Sequence, residues 1–258
     1  MQIANIYPVT NQDLYRDEKY VMILAHLLKK GLYSAENFNT DQYIIMDNGL
    51  FEGEQVSTNL QDLIDLVEAN KIPVKEIIVP DVVNNSEETK KLFRENLNTI
   101  IKYNHKYTFM FVAQAKTYSE LALNILFINQ FKERGLKLSV GISKLSPLDR
   151  ADKYAIQCYE HCKYPIHILG IKDSFDELER LVRVENIRGC DTSQLAFIVK
   201  NSDGHIPIFI WNYSRSAVKM AHPNAEDIQL EFDICDKDAL KDVRDDFYEE
   251  ADLYGILR

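Results

Sequence analysis

Cysteine is scarce in this 258-residue sequence, and its four copies are too few and too scattered for a disulfide framework. They are Cys158, Cys162, Cys190 and Cys235. Cys158 and Cys162 share one face of a predicted helix, but no further cysteine or histidine stands near them at a spacing typical of zinc ligands. We therefore expect inert buried thiols and no metal site.

Long apolar runs are also missing. No stretch approaches the roughly 20 residues that a helix needs to span a bilayer. The amino terminus lacks the basic, apolar and small-residue pattern of a secretory signal. These absences predict a cytoplasmic protein that does not enter a membrane.

Glycine-rich phosphate loops are absent as well. The chain has only nine glycines, and none of them forms a G-x-G-x-x-G or P-loop motif after a predicted strand. This excludes the commonest nucleotide binders built on open sheets. No other cofactor motif is present, so we expect a protein that works without a cofactor.

Positive charge is in deficit, with a formal net charge of −10. Such a balance argues against a nucleic-acid partner, but its distribution matters. Between Glu226 and Asp252 stand 12 acidic and 3 basic residues, which leaves 28 acidic and 27 basic residues elsewhere. The body of the protein is thus close to neutral and could carry a basic face.

What the sequence does contain is a regular alternation of predicted strands and helices. Apolar runs typical of buried strands lie at Tyr43–Asp47, Lys75–Val83, Tyr107–Ala115, Leu136–Ser143, Pro165–Lys172 and His205–Trp211. Ile187–Ser193 could be a short strand or a turn. Helical spacing is found at 58–70, 86–103, 117–134, 147–162 and 174–185, and Ser86 is the expected N-cap of the second helix. Tyr20–Leu28 could be a strand or a short helix.

This alternation predicts a parallel sheet with helical crossovers. Six or more such repeats favour a closed (β/α)8 TIM-type barrel over an open doubly wound sheet. No linker divides the chain, so we expect a single domain over residues 1–258. Its acidic carboxyl-terminal segment, residues 226–258, is predicted to be helical.

Polar residues or glycines stand at the predicted strand ends. They are Asp47 with Asn48, Asp81, Gln114, Gly141, Gly170 and Asp191. In a barrel these ends converge on the face where active sites are built. Each aspartate alone could equally be a helix cap or a turn residue, and Asp47-Asn48-Gly49 could be only a turn.

Carboxylates and a carboxamide around one pocket suit a purine-like base. An aspartate can accept hydrogen bonds from the ring N–H and exocyclic amine of a guanine-type edge, and Gln114 can donate to its carbonyl. Phe51 and Leu169 could sandwich the ring. The glycines would let a ligand approach the backbone closely.

Lysines follow three of these strand ends by two or three positions. They are Lys116, Lys144 and Lys172. Lysines on a rim are often merely solvated, but three at matching positions suggest a phosphate-bearing substrate.

These motifs together resemble the tRNA-guanine transglycosylase superfamily, and most closely its short phage and bacterial relatives that insert 7-deazaguanines into DNA. The resemblance covers about residues 43–197. It rests on the order and spacing of six segments: Met46-Asp47-Asn48-Gly49-Leu50-Phe51-Glu52, Val79-Pro80-Asp81, Val112-Ala113-Gln114, Val140-Gly141, His167-Ile168-Leu169-Gly170-Ile171 and Gly189-Cys190-Asp191-Thr192-Ser193. Asn48 and Leu50 depart from the family's serine and second glycine.

The resemblance implies a role for each matched residue. Asp191 would be the nucleophile and Asp47 the general acid/base, with Phe51 stacking on the base. The base pocket would be formed by Asn48, Asp81, Gln114, Gly141, Leu169 and Gly170. The family's tRNA-acting members carry a zinc site of three cysteines and a histidine, whereas this chain has only Cys235 after Asp191.

The absence of that cluster favours DNA over tRNA as the substrate, with a free 7-deazaguanine base as the second reactant. Two alternatives stay open: a zinc-free tRNA-guanine transglycosylase, and a barrel hydrolase acting on a small nucleoside or glycoside. A homodimer or a helper protein is also compatible with the sequence.

Overall fold

The structure is a computed structural model that describes residues 1–7, 9–50, 56–171, 175–192, 241, 244–245, 248–249, 251–252 and 256. Its centre is a barrel of eight parallel strands. They are β1 (Gln2–Asn5), β2 (Tyr20–Leu24), β3 (Tyr43–Asp47), β4 (Glu76–Ile78), β5 (Thr108–Val112), β6 (Leu138–Ser143), β7 (Ile166–Leu169) and β8 (Ile187–Thr192). Each strand pairs with the next, and β8 closes on β1. The predicted TIM-type barrel is confirmed.

Helices connect the strands on the outside of the barrel. They are α1 (Ala25–Lys29), α2 (Leu60–Asn70), α3 (Ser86–Glu95), α4 (Leu97–Tyr103), α5 (Tyr118–Asn129), α6 (Lys153–Glu160) and α7 (Phe175–Leu181). The connection from β1 to β2 is instead a 3-10 helix, Val9–Asp17. Among the described residues no helix is both long and apolar enough to cross a membrane.

Two apolar layers follow from the alternation of side chains along each strand. The smaller fills the barrel interior and comprises Ala4, Tyr20, Met22, Ile45, Ile78, Met110 and Val112. The larger lies between strands and helices. Asp47 stands two residues after Ile45, and Asp191 pairs with Ala4. Both carboxylates therefore belong to inward-facing positions at the carboxyl end of the barrel.

Several expected boundaries are corrected. Tyr20–Leu28 is both a strand and a helix, because β2 passes directly into α1. β4 stops at Ile78, two residues before Pro80, which has no N–H for the ladder. β6 ends at Ser143 as predicted but begins at Leu138, two residues later than expected. The barrel closes without a strand from 205–211, a segment that lies outside the described residues.

The N-cap of α3 is Asn85 and not Ser86. The Asn85 side chain accepts a hydrogen bond from the Glu88 backbone N–H at 3.1 Å. The Ser86 hydroxyl instead donates to Asn124 Oδ1 of α5 at 2.8 Å. Asparagine and serine cap about equally well, so the contact with α5 decides which one takes the role.

The described residues of the acidic segment are helical at positions 241, 244–245, 248–249 and 251–252. Tyr248 donates to Glu18 Oε2 at 2.8 Å and accepts from Asn5 Nδ2 at 2.8 Å. The amino group of Met1 donates to the carbonyl of Ile256 at 2.9 Å. These contacts join the described residues of this segment to Asn5 of β1, to Glu18 after the 3-10 helix and to the amino terminus.

The three cysteines in the described part of the chain are free thiols. Burial raises the pKa of Cys162 to about 11 and also raises the pKa values of Cys158 and Cys190. Cys162 and Cys190 are buried as expected, whereas Cys158 is only half-buried. A raised pKa disfavours the thiolate, which is the reactive species. Cys235 lies outside the described residues.

Candidate active site at the carboxyl ends of the strands

Asp191, the next-to-last residue of β8, is held by two donors from β7 and its following turn. His167 Nε2 lies 3.0 Å from Asp191 Oδ1, and the backbone N–H of Gly170 donates to the same oxygen at 2.9 Å. Asp191 is 7% exposed and His167 is fully buried. Neither of these two donors follows Asp191 in the chain.

Asp47, the last residue of β3, takes part in a turn. Its Oδ1 accepts from the Gly49 backbone N–H at 2.7 Å, and Asn48 Oδ1 accepts from the Leu50 N–H at 2.9 Å. Gly49 has a φ of 81°, which favours glycine. The turn interpretation of Asp47-Asn48-Gly49 is thus correct, and the turn also fixes the Asp47 carboxylate at the barrel mouth.

Asp81 lies at the centre of a buried hydrogen-bond cluster after β4. Asn48 Nδ2 donates to Asp81 Oδ1 at 2.7 Å, and Gln114 Nε2 donates to Asp81 Oδ2 at 2.7 Å. Burial raises the pKa of Asp81 to about 6, against the lowering effect of these two hydrogen bonds. Desolvation therefore outweighs hydrogen bonding, and the carboxyl group titrates near neutral pH.

Gln114 is oriented by its surroundings. Its Oε1 accepts from the Asn84 backbone N–H at 3.0 Å, and its own carbonyl accepts from Asn124 Nδ2 at 3.0 Å. Because Oε1 accepts this hydrogen bond, the side-chain nitrogen Nε2 of Gln114 faces Asp81. One of its two N–H groups is used there, which leaves the other for a ligand carbonyl.

The two glycines of the predicted pocket differ in their surroundings. A Cβ at Gly141 would lie 2.8 Å from both Leu169 Cδ1 and Met110 Sδ. Gly141 thus makes room for barrel-core side chains, and Leu169 packs over it. Gly170 has a φ of 64°, and the Lys144 side chain crosses it at 2.5 Å from a would-be Cβ.

The predicted rim lysines are placed in part. Lys144 lies against Gly170 and hence beside the turn that holds Asp191. Lys116 is exposed, and its backbone N–H donates to Glu120 Oε2 at 2.6 Å. Lys172 and Phe51 lie outside the described residues.

A buried ion pair that the sequence analysis missed fixes this part of the site. Arg150 binds Glu177 of α7 through Nε and Nη2, both at 2.8 Å. It also donates to the carbonyls of Ile142, Leu169 and Gly170. Arg150 thereby joins the ends of β6 and β7. No local pattern reveals it, because its partners are up to 27 residues away.

A second missed cluster fills the amino-terminal half of the barrel. Glu76 is fully buried and accepts from Tyr43 at 2.7 Å, from Ser139 and from Arg188. Its partners come from three other strands. This cluster supports the barrel floor beneath the carboxylates.

The fold and the site define a TIM barrel whose mouth is lined by carboxylates and amides. No protein-family model matches the chain, and no curated protein matches it. The solved structures that match include a tryptophan synthase from M. tuberculosis in an open form with BRD0059 bound, at a TM-score of 0.39 and 9% identity over 94% of this chain and 92% of that chain. This likeness is too low to bear on function.

Proposed function

We propose that this protein is a base-exchange transglycosylase that replaces guanine in DNA with a 7-deazaguanine derivative. The observation that carries the proposal is the pairing of two inward carboxylates, Asp191 and Asp47, with the amide-lined Asp81 at one barrel mouth. The order of the six motifs that resemble the tRNA-guanine transglycosylase superfamily supports the same reaction.

The chemistry needs two carboxylates with different tasks. Asp191 attacks C1′ of the target nucleotide, the C1′–N9 bond breaks, and its electron pair goes to the departing guanine. Asp47 supplies the proton that N9 takes up, and then removes a proton from the incoming base. That base attacks C1′ and releases Asp191, so two displacements retain the anomeric configuration.

Asp81, Asn48 and Gln114 are suited to read the base. At neutral pH an ionised Asp81 accepts from ring N–H and exocyclic amine groups, while Gln114 donates to a carbonyl. A pKa of about 6 keeps Asp81 mostly ionised at pH 7. Leu169 offers an apolar surface for one ring face, and the resemblance assigns the other to Phe51.

DNA as the substrate is supported by charge. The body of the chain is nearly neutral while the excess negative charge lies at the carboxyl-terminal end. In this proposal, Lys144 beside the Asp191 turn and Lys116 after β5 are the cations that contact phosphates. The target guanine would leave the base stack to reach the barrel mouth.

The decisive experiment compares the protein with its Asp191→Asn variant. Duplex DNA and tRNA are each incubated with labelled 7-deazaguanine, and a separate sample of DNA is incubated without it. We expect the wild type to label DNA and, without the free base, to give a denaturation-resistant protein–DNA adduct. Asp191→Asn should fold and bind the base but form no adduct, because it lacks the nucleophile.

Other outcomes would contradict specific parts of the proposal. Label entering tRNA and not DNA would refute the substrate. Release of free guanine with no label incorporated would indicate a hydrolase. Appreciable exchange by Asp191→Asn would remove Asp191 from the nucleophile's role.

A further inference from the structure

The side of Asp191 away from the barrel mouth is occupied by a hydrogen-bonded chain across the barrel interior. Tyr20 Oη lies 2.8 Å from His167 Nδ1, and His167 Nε2 lies 3.0 Å from Asp191 Oδ1. Tyr20 is the first residue of β2 and His167 the second of β7, with β1 and β8 between them. These hydrogen bonds therefore form only when the barrel has folded.

The barrel makes room for this chain at Gly189 of β8. A Cβ there would lie 2.9 Å from Tyr20 Cε1 and 2.7 Å from the carbonyl of Gln2. Tyr20 also stacks on Tyr43, with ring centroids 5.6 Å apart and planes at 24°. The phenol is thus fixed in place, and only a residue without a side chain fits beneath it.

Tyr20 is the donor to Nδ1 in the tautomer whose Nε2–H reaches Asp191, because a carboxylate can only accept a hydrogen bond. Tyr20 is 3% exposed, and burial raises its pKa well above the usual value, so it keeps its proton. A hydroxyl proton directed at Nδ1 leaves Nε2 as the protonated nitrogen of a neutral imidazole. The Nε2–H then points at Asp191.

Both hydrogen bonds from the described residues to the Asp191 side chain fall on Oδ1. Oδ2 accepts none from that part of the chain. We propose that His167 is a positioning residue for the Asp191 carboxylate: Tyr20 sets the imidazole tautomer, His167 and the Gly170 N–H hold Oδ1, and Oδ2 is the oxygen that attacks C1′. The last step rests on the proposed function.

The alternative that Tyr20, His167 and Asp191 form a nucleophilic triad conflicts with the geometry. The hydroxyl of such a triad must reach substrate and lose its proton to the histidine. Tyr20 instead lies at the amino-terminal end of β2, between Tyr43 and Gly189. His167 is not in contact with the reacting atoms, so we assign it to positioning and not to catalysis.

Glutamine and methionine at position 167 separate positioning from packing. The two side chains have nearly the same shape, but only glutamine carries an N–H that can replace Nε2–H. We expect His167→Met to slow adduct formation in single-turnover experiments by about 10- to 100-fold, the value of a hydrogen bond to a charged group. His167→Gln should recover most of this rate, and both variants should bind free 7-deazaguanine as the wild type does.

A purely structural role would slow the two variants equally, and equal rates for them would overturn the inference. The tautomer is measured independently of any substrate, from 15N shifts of the histidine ring in the free protein, with His167→Gln identifying the signal. We expect Nε2–H in the wild type and a mixture of tautomers in Tyr20→Phe. An Nδ1–H tautomer in the wild type would refute the positioning of Oδ1.

The same measurements separate the two proposals. If the wild type shows the Nε2–H tautomer but forms no adduct, the transglycosylase activity and the attack by Oδ2 are refuted. The same result would still support the hydrogen bond from His167 to Asp191 Oδ1. A wild type that forms the adduct, with His167→Met as fast as His167→Gln, refutes the positioning role alone.

Discussion

At the scale of one residue, the burial of Asp81 links the stability of the fold to pH. Its two oxygens accept from Asn48 and Gln114, yet burial raises its pKa from 3.8 to about 6. The folded protein therefore binds the Asp81 proton more tightly than the unfolded chain does. The stabilising contribution is fully present below pH 3.8 and is lost as the pH rises through 6.

This coupling predicts a pH-dependent effect of Asp81→Asn, because asparagine does not titrate. A pKa raised by about two units corresponds to about 3 kcal/mol. Between pH 4 and pH 7.5 the free energy of unfolding of Asp81→Asn should therefore improve relative to the wild type by up to about 3 kcal/mol. Urea denaturation of both proteins at several pH values measures the two free energies of unfolding. A difference between them that does not change with pH would contradict the prediction.

At the scale of elements, the turn after β7 is held by the Arg150–Glu177 pair. Arg150 is 1% exposed and Glu177 is 7% exposed, so both charges are removed from water. Such a pair is costly to break, because one buried charge is left without its partner. The carbonyls of Leu169 and Gly170 would also lose their donor, and the Gly170 N–H that binds Asp191 lies in the same turn.

We expect Arg150→Met to lower the free energy of unfolding by about 3–5 kcal/mol. Arg150→Lys should also destabilise, since lysine cannot reproduce the two parallel bonds to Glu177. The double variant Arg150→Met/Glu177→Met removes the unpaired charge and should recover part of the loss. Chemical denaturation of the single and double variants gives the coupling energy between Arg150 and Glu177. Additive changes in the free energy of unfolding would show that the two residues do not stabilise the turn as a pair.

The elements that the sequence predicted are those with long apolar runs. Strands β3 and β5 to β7 were expected near their observed positions, because each is flanked by a recognisable helix. The segment of β8 was expected as a short strand or a turn, and the structure shows that it is a strand. β1 was not expected, since Gln2–Asn5 is only four residues long and is followed by a 3-10 helix. Short strands of this kind are defined by their barrel neighbours and not by their own pattern.

The site could be predicted only as far as strand ends reveal it. Asp47, Asp81, Gln114 and Asp191 were identified because polar residues interrupt apolar runs there. The roles of Tyr20, His167 and Arg150 depend on partners that lie 147, 24 and 27 residues away. Contacts over such distances in sequence follow from barrel closure, which composition and periodicity do not encode.

For the whole molecule, the segregation of charge bears on the proposed polymer substrate. The excess acid lies in residues 226–252. Tyr248 of this segment donates to Glu18, and the amino group of Met1 donates to the carbonyl of Ile256. Lys116 and Lys144 follow β5 and β6 at their carboxyl ends, on the barrel face where Asp191 and Asp81 also lie. A polyanion that reaches the carboxylates would have to pass these lysines.

The double variant Lys116→Ala/Lys144→Ala should therefore bind DNA more weakly and with less dependence on salt. Each lost phosphate contact lowers the slope of log K against log salt by about 0.7–0.9, so two contacts lower it by about 1.4–1.8. Lys137→Ala is the matched control, because Lys137 is exposed and precedes β6 at the other end of the barrel. Fluorescence anisotropy with labelled DNA at several salt concentrations measures both slopes. Equal slopes in the two variants would place the DNA elsewhere on the surface, whereas unchanged binding in both would favour a small nucleoside as the substrate.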